Sequence, residues 1–300
     1  LANMGDVTAN TYYLRVTDSK GCQNDKSVLI PAIATLTASI PGGNITHVSC
    51  HNGNDGQLKV NAANGTAPYT YQWYSDAYTT PIVGQTGATL SNRTDGQYWV
   101  RVTDLNGCTA DANGTITEPA ATLSIAGVVT PLDCNGDGTG EINITASNGT
   151  APYTAYNWSN TSTDEDQTGL DEGSYTVTVT DTKGCKAEKT FYVSQPAVLT
   201  LTINSPINDG CNNYDLTSSV TGGNGGYSYI WDDENSFGGS NLGTLANLGN
   251  VTNGDYFLQV TDSKGCKDDK SVNIPAIATL TAAIPGGNIT HVSCQDRKST

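Results

Sequence analysis

The chain has 300 residues, 33 of them Gly and 11 Pro, with 36% hydrophobic residues, 14% charged residues and a net charge of −15. Fourteen Lys and Arg against 29 Asp and Glu argue against nucleic acid and anionic membranes as partners, since both are held by clustered cations. No apolar run approaches the ~18 residues of a membrane span, and no charged-then-apolar leader is present, so neither insertion nor an export signal is expected within these residues.

Repetition organises the chain. Residues 1–50 recur as 245–294 with 39 of 50 positions identical. The heptapeptides VTDSKGC, VTDLNGC, VTDTKGC and VTDSKGC end at Cys22, Cys108, Cys185 and Cys266, at near-equal intervals. A period of about 81 residues is the size of a small domain. The expected organisation is therefore the C-terminal part of one repeat module at 1–32, complete β-sandwich repeats at 33–120, 121–197 and 198–276, and the N-terminal part of a following repeat at 277–300. The chain reads as a window on a longer array.

Each module has the same order of elements. A Pro-Ala pair, as at Pro119 and Pro196, precedes an alternating stretch such as TLTASI, then a Cys, a Gly/Asn/Asp turn and a second alternating run, GQLKVNA or GEINITA. A third run ends on a Trp (GTAPYTYQW, GTAPYTAYNW, GGYSYIW), and a late one reads GQYWVRVTD, GSYTVTVTD or GDYFLQVTD. Val, Ile, Thr and Tyr at period 2, bounded by turn residues, are the mark of strands, and no window has helical periodicity with caps. The fold class expected is all-β, with tandem immunoglobulin-like β-sandwich modules in an elongated array. Trp73, Trp158 and Trp231 are expected between the sheets, and Tyr98, Tyr175 and Tyr256, with Tyr12, at tyrosine corners. In TD-x-x-G-C, Asp18, Asp104, Asp181 and Asp262 are placed to accept from backbone amides ahead of them, while the Gly supplies a left-handed residue.

The set VSCHNGNDGQLKVNAANGTAPYTYQW and DGQYWVRVTDLNGCTADANGTITEPA, repeated along nearly the whole chain, resembles the SprB-type repeats of Bacteroidota gliding-motility adhesins, themselves similar to polycystic-kidney-disease-type domains. The resemblance implies a very long cell-surface filament exported by the type IX secretion system and carried on the outer membrane. The third module departs from the pattern, with CNNYDL and GGNGGYSY in place of CNGxDG and GTAPYTY.

Eight Cys without a C-x-x-C pair argue for disulfides in an oxidising compartment. In such a sandwich, the turn carrying the first Cys and the hairpin carrying the second lie at opposite ends, roughly 30 Å apart, beyond the ~7 Å a disulfide spans. That favours inter-module bonds, Cys50–Cys185 and Cys134–Cys266. The intramodule set Cys50–Cys108, Cys134–Cys185 and Cys211–Cys266 stays open as the alternative.

Catalytic material is sparse. His47, His51 and His291 sit beside first cysteines, where a surface turn is favoured over a Cys–His nucleophile pair. No cofactor is expected. Calcium is the one ion with candidate ligands, Asp55 and Asp137, in turns that Asn, Asp and Gly form equally well without it. The sequence thus reads as a non-enzymatic structural or adhesive segment of an extracellular filament. Its expected partners are adjacent modules of the same chain, surface polysaccharide or substratum, and other copies in a fibre. Two alternatives remain: carbohydrate-binding modules using Tyr74, Tyr78 and Trp99, and a spacer in a secreted multidomain polysaccharide-degrading enzyme.

Overall fold

The computed structural model describes Gly5 and residues 7–32, 34–210, 213–238 and 241–276. Among them every regular element is a β-strand, apart from one 3-10 turn at Gly42–Asn44. The fold is all-β, in tandem immunoglobulin-like sandwich repeats. The chain forms two compact units: Leu1–Ser124 with Ala146–Ala155 and Val179–Ala187, and Ile125–Thr145 with Tyr156–Thr178 and Glu188–Thr300. Residues 277–300, and with them the expected last partial repeat, lie outside the described residues.

In the first unit, Thr109–Ile116, Gly96–Thr103 and Thr70–Tyr74 form one antiparallel sheet. Ile45–Thr46, Gly56–Lys59 and Thr89–Arg93 form another, with Thr37–Ser39 paired to Asn61–Ala63. The strand Gly96–Thr103 shows why alternation becomes a sandwich. Tyr98, Val100 and Val102 are buried, while the residues between them face outward. They meet Leu58, Val60, Trp73, Leu90 and Ile116 in one core. Each fully buried aliphatic side chain contributes roughly 1.5–3 kcal/mol over exposure.

The hairpin Asn10–Thr17/Gln23–Ile30 pairs along its full length but stands as a two-stranded sheet. Its Leu14 and Val16 are 61% and 57% exposed, whereas the matching Val100 and Val102 are at 0%. The same local pattern thus makes the same hairpin.

The second unit holds two core groups. Ile142, Leu170, Val177 and Val193 are buried with Trp158, whose ring lies 6.2 Å from Phe191. Leu201, Leu216, Trp231, Leu258, Val260 and Ile274 form the other core, between the sheet Ser228–Asp232, Gly254–Thr261, Lys267–Ile274 and the strands Thr200–Ile203, Ser218–Thr221, Asn213–Leu216 and Leu248–Val251. The Gly that opens the second strand is a close-approach residue. A Cβ on Gly56 would lie 2.7 Å from the Arg93 carbonyl oxygen, and one on Gly140 would lie 2.8 Å from that of Leu170, contacts no larger residue could make without moving the strand.

Candidate functional site: cysteine staples and an aromatic face

The turn before each hairpin cysteine is built on one carboxylate. Asp104 Oδ1 accepts the amides of Asn106 and Cys108, both at 2.9 Å. Asp181 Oδ1 accepts those of Lys183 and Cys185 at 2.9 Å, and Asp262 Oδ1 those of Lys264 and Cys266 at 2.9 and 3.0 Å. Asp18 does the same for Lys20 and Cys22. The turn then closes on a left-handed glycine: φ is +83° at Gly107, +84° at Gly184 and +91° at Gly265.

In the complete repeats the second oxygen reaches across to an earlier loop. Asp104 Oδ2 accepts from Thr66 N at 3.0 Å, Asp181 Oδ2 from Thr150 N at 2.8 Å, and Asp262 Oδ2 from Asn224 N at 2.8 Å. These three carboxylates are buried. The Thr66 amide is the main cause that holds Asp104 below the usual carboxylate range. At Asp181 and Asp262 burial pushes upward most strongly, and the amides led by Thr150 and Asn224 together outweigh it. The carboxylate fixes the amide of the following Cys and so aims its side chain.

The structure joins Cys50 to Cys185 and Cys134 to Cys266, with Cα separations of 5.6 and 5.7 Å, inside the range a disulfide spans. The alternative pairs Cys50–Cys108, Cys134–Cys185 and Cys211–Cys266 do not form, because Cys50, Cys134, Cys185 and Cys266 are engaged elsewhere. Cys22 and Cys108 are exposed free thiols, while Cys211 and Cys294 lie outside the described residues. The physical reason is the one topology supplies: the hairpin and the first-cysteine turn of one sandwich sit at opposite ends of its strands.

The turns bearing the first cysteines are fastened twice. Asp55 Oδ1 accepts Ser49 N at 2.9 Å. Asp137 Oδ2 accepts Cys134 N at 2.6 Å, and its Oδ1 accepts the Thr139 hydroxyl at 2.8 Å. Both calcium candidates therefore act as turn acceptors, and no group of three or more ligating side chains occurs among the described residues. Glu118 accepts the Asn52 amide at 2.5 Å and Gln195 Oε1 the Gly136 amide at 2.8 Å. His51 Nδ1 lies 3.0 Å from the Pro119 carbonyl, and Asn135 Nδ2 donates to that of Pro196 at 3.0 Å. His47 Nδ1 accepts from Thr117 N at 3.0 Å. His47 and His51 thus fasten turns, and His291 lies outside the described residues. Lys264 Nζ adds an ion pair to Asp133 at 2.8 Å.

Trp73 and Trp231 are fully buried and Trp158 nearly so. Their indole N–H groups donate to the carbonyls of Gly87, Leu245 and Asp164 at 2.9, 3.1 and 2.8 Å, so burial leaves none of these three donors unpaired. Each corner tyrosine donates its hydroxyl four residues back: Tyr98 to Thr94, Tyr175 to Asp171, Tyr256 to Thr252 and Tyr12 to Thr8. Of these, Tyr98 is a core residue, whereas Tyr175 and Tyr256 are half-buried.

On the outer face of the sheet Thr70–Tyr74, Gly96–Thr103, Thr109–Ile116, Trp99 stands opposite Tyr74 on one side and Asn113 on the other. Tyr78 packs edge-on against Tyr74 at 5.4 Å and lies beneath the Arg101 guanidinium at 4.9 Å. Arg101 grips Asp111 through two hydrogen bonds of 2.9 and 2.8 Å, and this pairing raises the Arg101 pKa. The alternation puts Trp99 and Arg101 on one face, but the return of Tyr78 onto Tyr74 and Arg101 depends on the loop and has no periodic signal.

The SprB repeat family model matches residues 42–77 and 126–163. Each match takes in a first cysteine of a staple and the Trp buried after it. The chain is thus similar to SprB repeats at two of its own copies. Among solved structures it is similar to Sidekick-1 immunoglobulin domains 1-5, at 13% identity and a TM-score of 0.34, covering 88% of this chain and 66% of that one. It is also similar to Drosophila OTK extracellular domains 3-5, at 13% identity and a TM-score of 0.27, covering 81% of this chain and 98% of that one. The tetra-tandem repeat in the extending region of a large adhesion protein matches at 17% identity and a TM-score of 0.26, covering 90% of this chain and 82% of that one. No curated protein matches. The two matches to the SprB repeat model, with the two disulfides among the described residues, support a structural, adhesion-type repeat region and point to an extracellular surface protein. Among the described residues no helix is long and apolar enough to cross a membrane.

Proposed function

We propose that this chain is a load-bearing segment of a long bacterial surface filament, a gliding-motility adhesin exported by the type IX route and attached at the outer membrane. The observation that supports it is the interleaving of the two disulfides. The backbone route from Cys50 to Cys266 runs through nearly three repeats, but through the two bonds the covalent route runs only over the stretch between Cys134 and Cys185. A pull applied at the two ends passes through that short route. Residues 51–133 and 186–265 then sit in loops that tension does not reach, even if their sandwiches melt. The same bonds support adjacent modules of the same chain as its partners.

Single-molecule force extension tests this reading. Between Cys50 and Cys266 the oxidised chain is expected to extend by about 165 residues less than the reduced chain, roughly 560 Å at ~3.4 Å per residue. Equal extension in both states overturns it.

A further inference from the structure

The geometry points to the outer face around Trp99 as a binding site for a neutral polysaccharide, gripped through its pyranose rings. This goes beyond the load-bearing reading and does not depend on it. The first observation is the chemistry gathered there. Trp99 and Tyr74 are cross-strand neighbours, and Tyr78 is held against Tyr74. Asn113 stands beside Trp99, and Gln97 Nε2 donates to Asn113 Oδ1 at 3.1 Å. Flat aromatic rings offer dispersion to the C–H faces of a sugar, and amide side chains exchange hydrogen bonds with its hydroxyls.

The second observation is strain. Tyr78 has φ +71°, a conformation a bulky side chain rarely adopts. Its loop is held by the Asp76 carboxylate, which accepts the Thr79 and Thr80 amides at 2.8 Å and the Thr80 hydroxyl at 2.6 Å. A ring held in place against backbone strain is preorganised. The third observation is charge. The Arg101 guanidinium is already met by Asp111 and so is not free for a uronate or sulfate. The chain carries −15 overall, and the whole molecule repels polyanions. The platform belongs to one repeat. Ser159 and Thr176 replace Tyr74 and Trp99 in the second copy, and Asp232 and Phe257 replace them in the third.

Affinity electrophoresis of the full chain, in gels cast with hydroxyethyl cellulose, laminarin or dextran and with alginate as the anionic comparison, tests the site. At least one neutral polymer is expected to retard the chain while alginate does not. The affinity should fall at least tenfold in Trp99→Ala and in Tyr78→Gly, and stay unchanged in Phe257→Ala. Tyr78→Gly relieves the left-handed strain, so an unchanged circular dichroism spectrum separates lost binding from lost folding. Because Trp73, Trp158 and Trp231 are buried, iodide quenching of the native chain reports on Trp99, and the bound polymer should shield it. Retardation by alginate alone, by no neutral polymer, or with equal strength in Trp99→Ala overturns the proposal.

Discussion

At the residue scale, the buried aspartates of the hairpin turns do the most with the fewest atoms. Asp181 satisfies three amides, those of Lys183, Cys185 and Thr150. Asp181→Ala is expected to destabilise by about 1–3 kcal/mol, because it strands those donors, and a urea titration measures it. The pH dependence follows from the sign of the shift. The folded-state pKa of Asp181 and Asp262 lies below the ordinary value. Their stabilisation is complete above the unfolded carboxylate pKa of about 4 and is lost as pH falls through the lower folded value. Asp181→Asn should flatten the acid limb of the stability profile. A melting series from pH 7 to pH 2 that overlays the parent's acid limb would refute this. The contacts at i+2 and i+4 were legible in the motif, since they are local. The third, to Thr150, was not, because the strands between the two residues must fold before they meet.

At the element scale, the strand pair is the unit the sequence writes, and the facing sheet is what buries it. Trp73 lies near the end of its strand and is fully buried, so Trp73→Ala is expected to cost about 3–5 kcal/mol by denaturant melt. The staple joins elements 132 to 135 residues apart. Non-reducing peptide mapping should recover Cys50 linked to Cys185 and Cys134 linked to Cys266, and a Cys50–Cys108 peptide would contradict the bonds described. The regular spacing of cysteines narrowed the pairing to two schemes. Choosing between them requires knowing which end of the strands each turn occupies.

At the scale of the whole molecule, among the described residues each compact unit contains one disulfide, Cys50–Cys185 in the first and Cys134–Cys266 in the second. Removing either should therefore act on its own unit. Cys185→Ser is expected to lower the stability of the first by about 2–4 kcal/mol, and Cys134→Ser to do the same in the second. Calorimetry should show one transition moving in each variant and both moving on reduction; a single transition shifted alike by either variant would contradict this. The net −15 spread over repeated copies is a solubility feature and not a localised acidic site.

The sequence by itself determined the all-β class, the tandem copies, the strands, the local half of the hairpin turn and the short list of cysteine pairs. All of these are written in residues two to four apart or in whole segments that recur. The tertiary structure decided between the two cysteine schemes in favour of the inter-module pairs, and it alone showed that Asp104, Asp181 and Asp262 tie their hairpins to distant loops and that Tyr78 folds back onto Arg101. Those contacts join residues far apart in the chain, and such distances are set only when strands pair and sheets pack face to face.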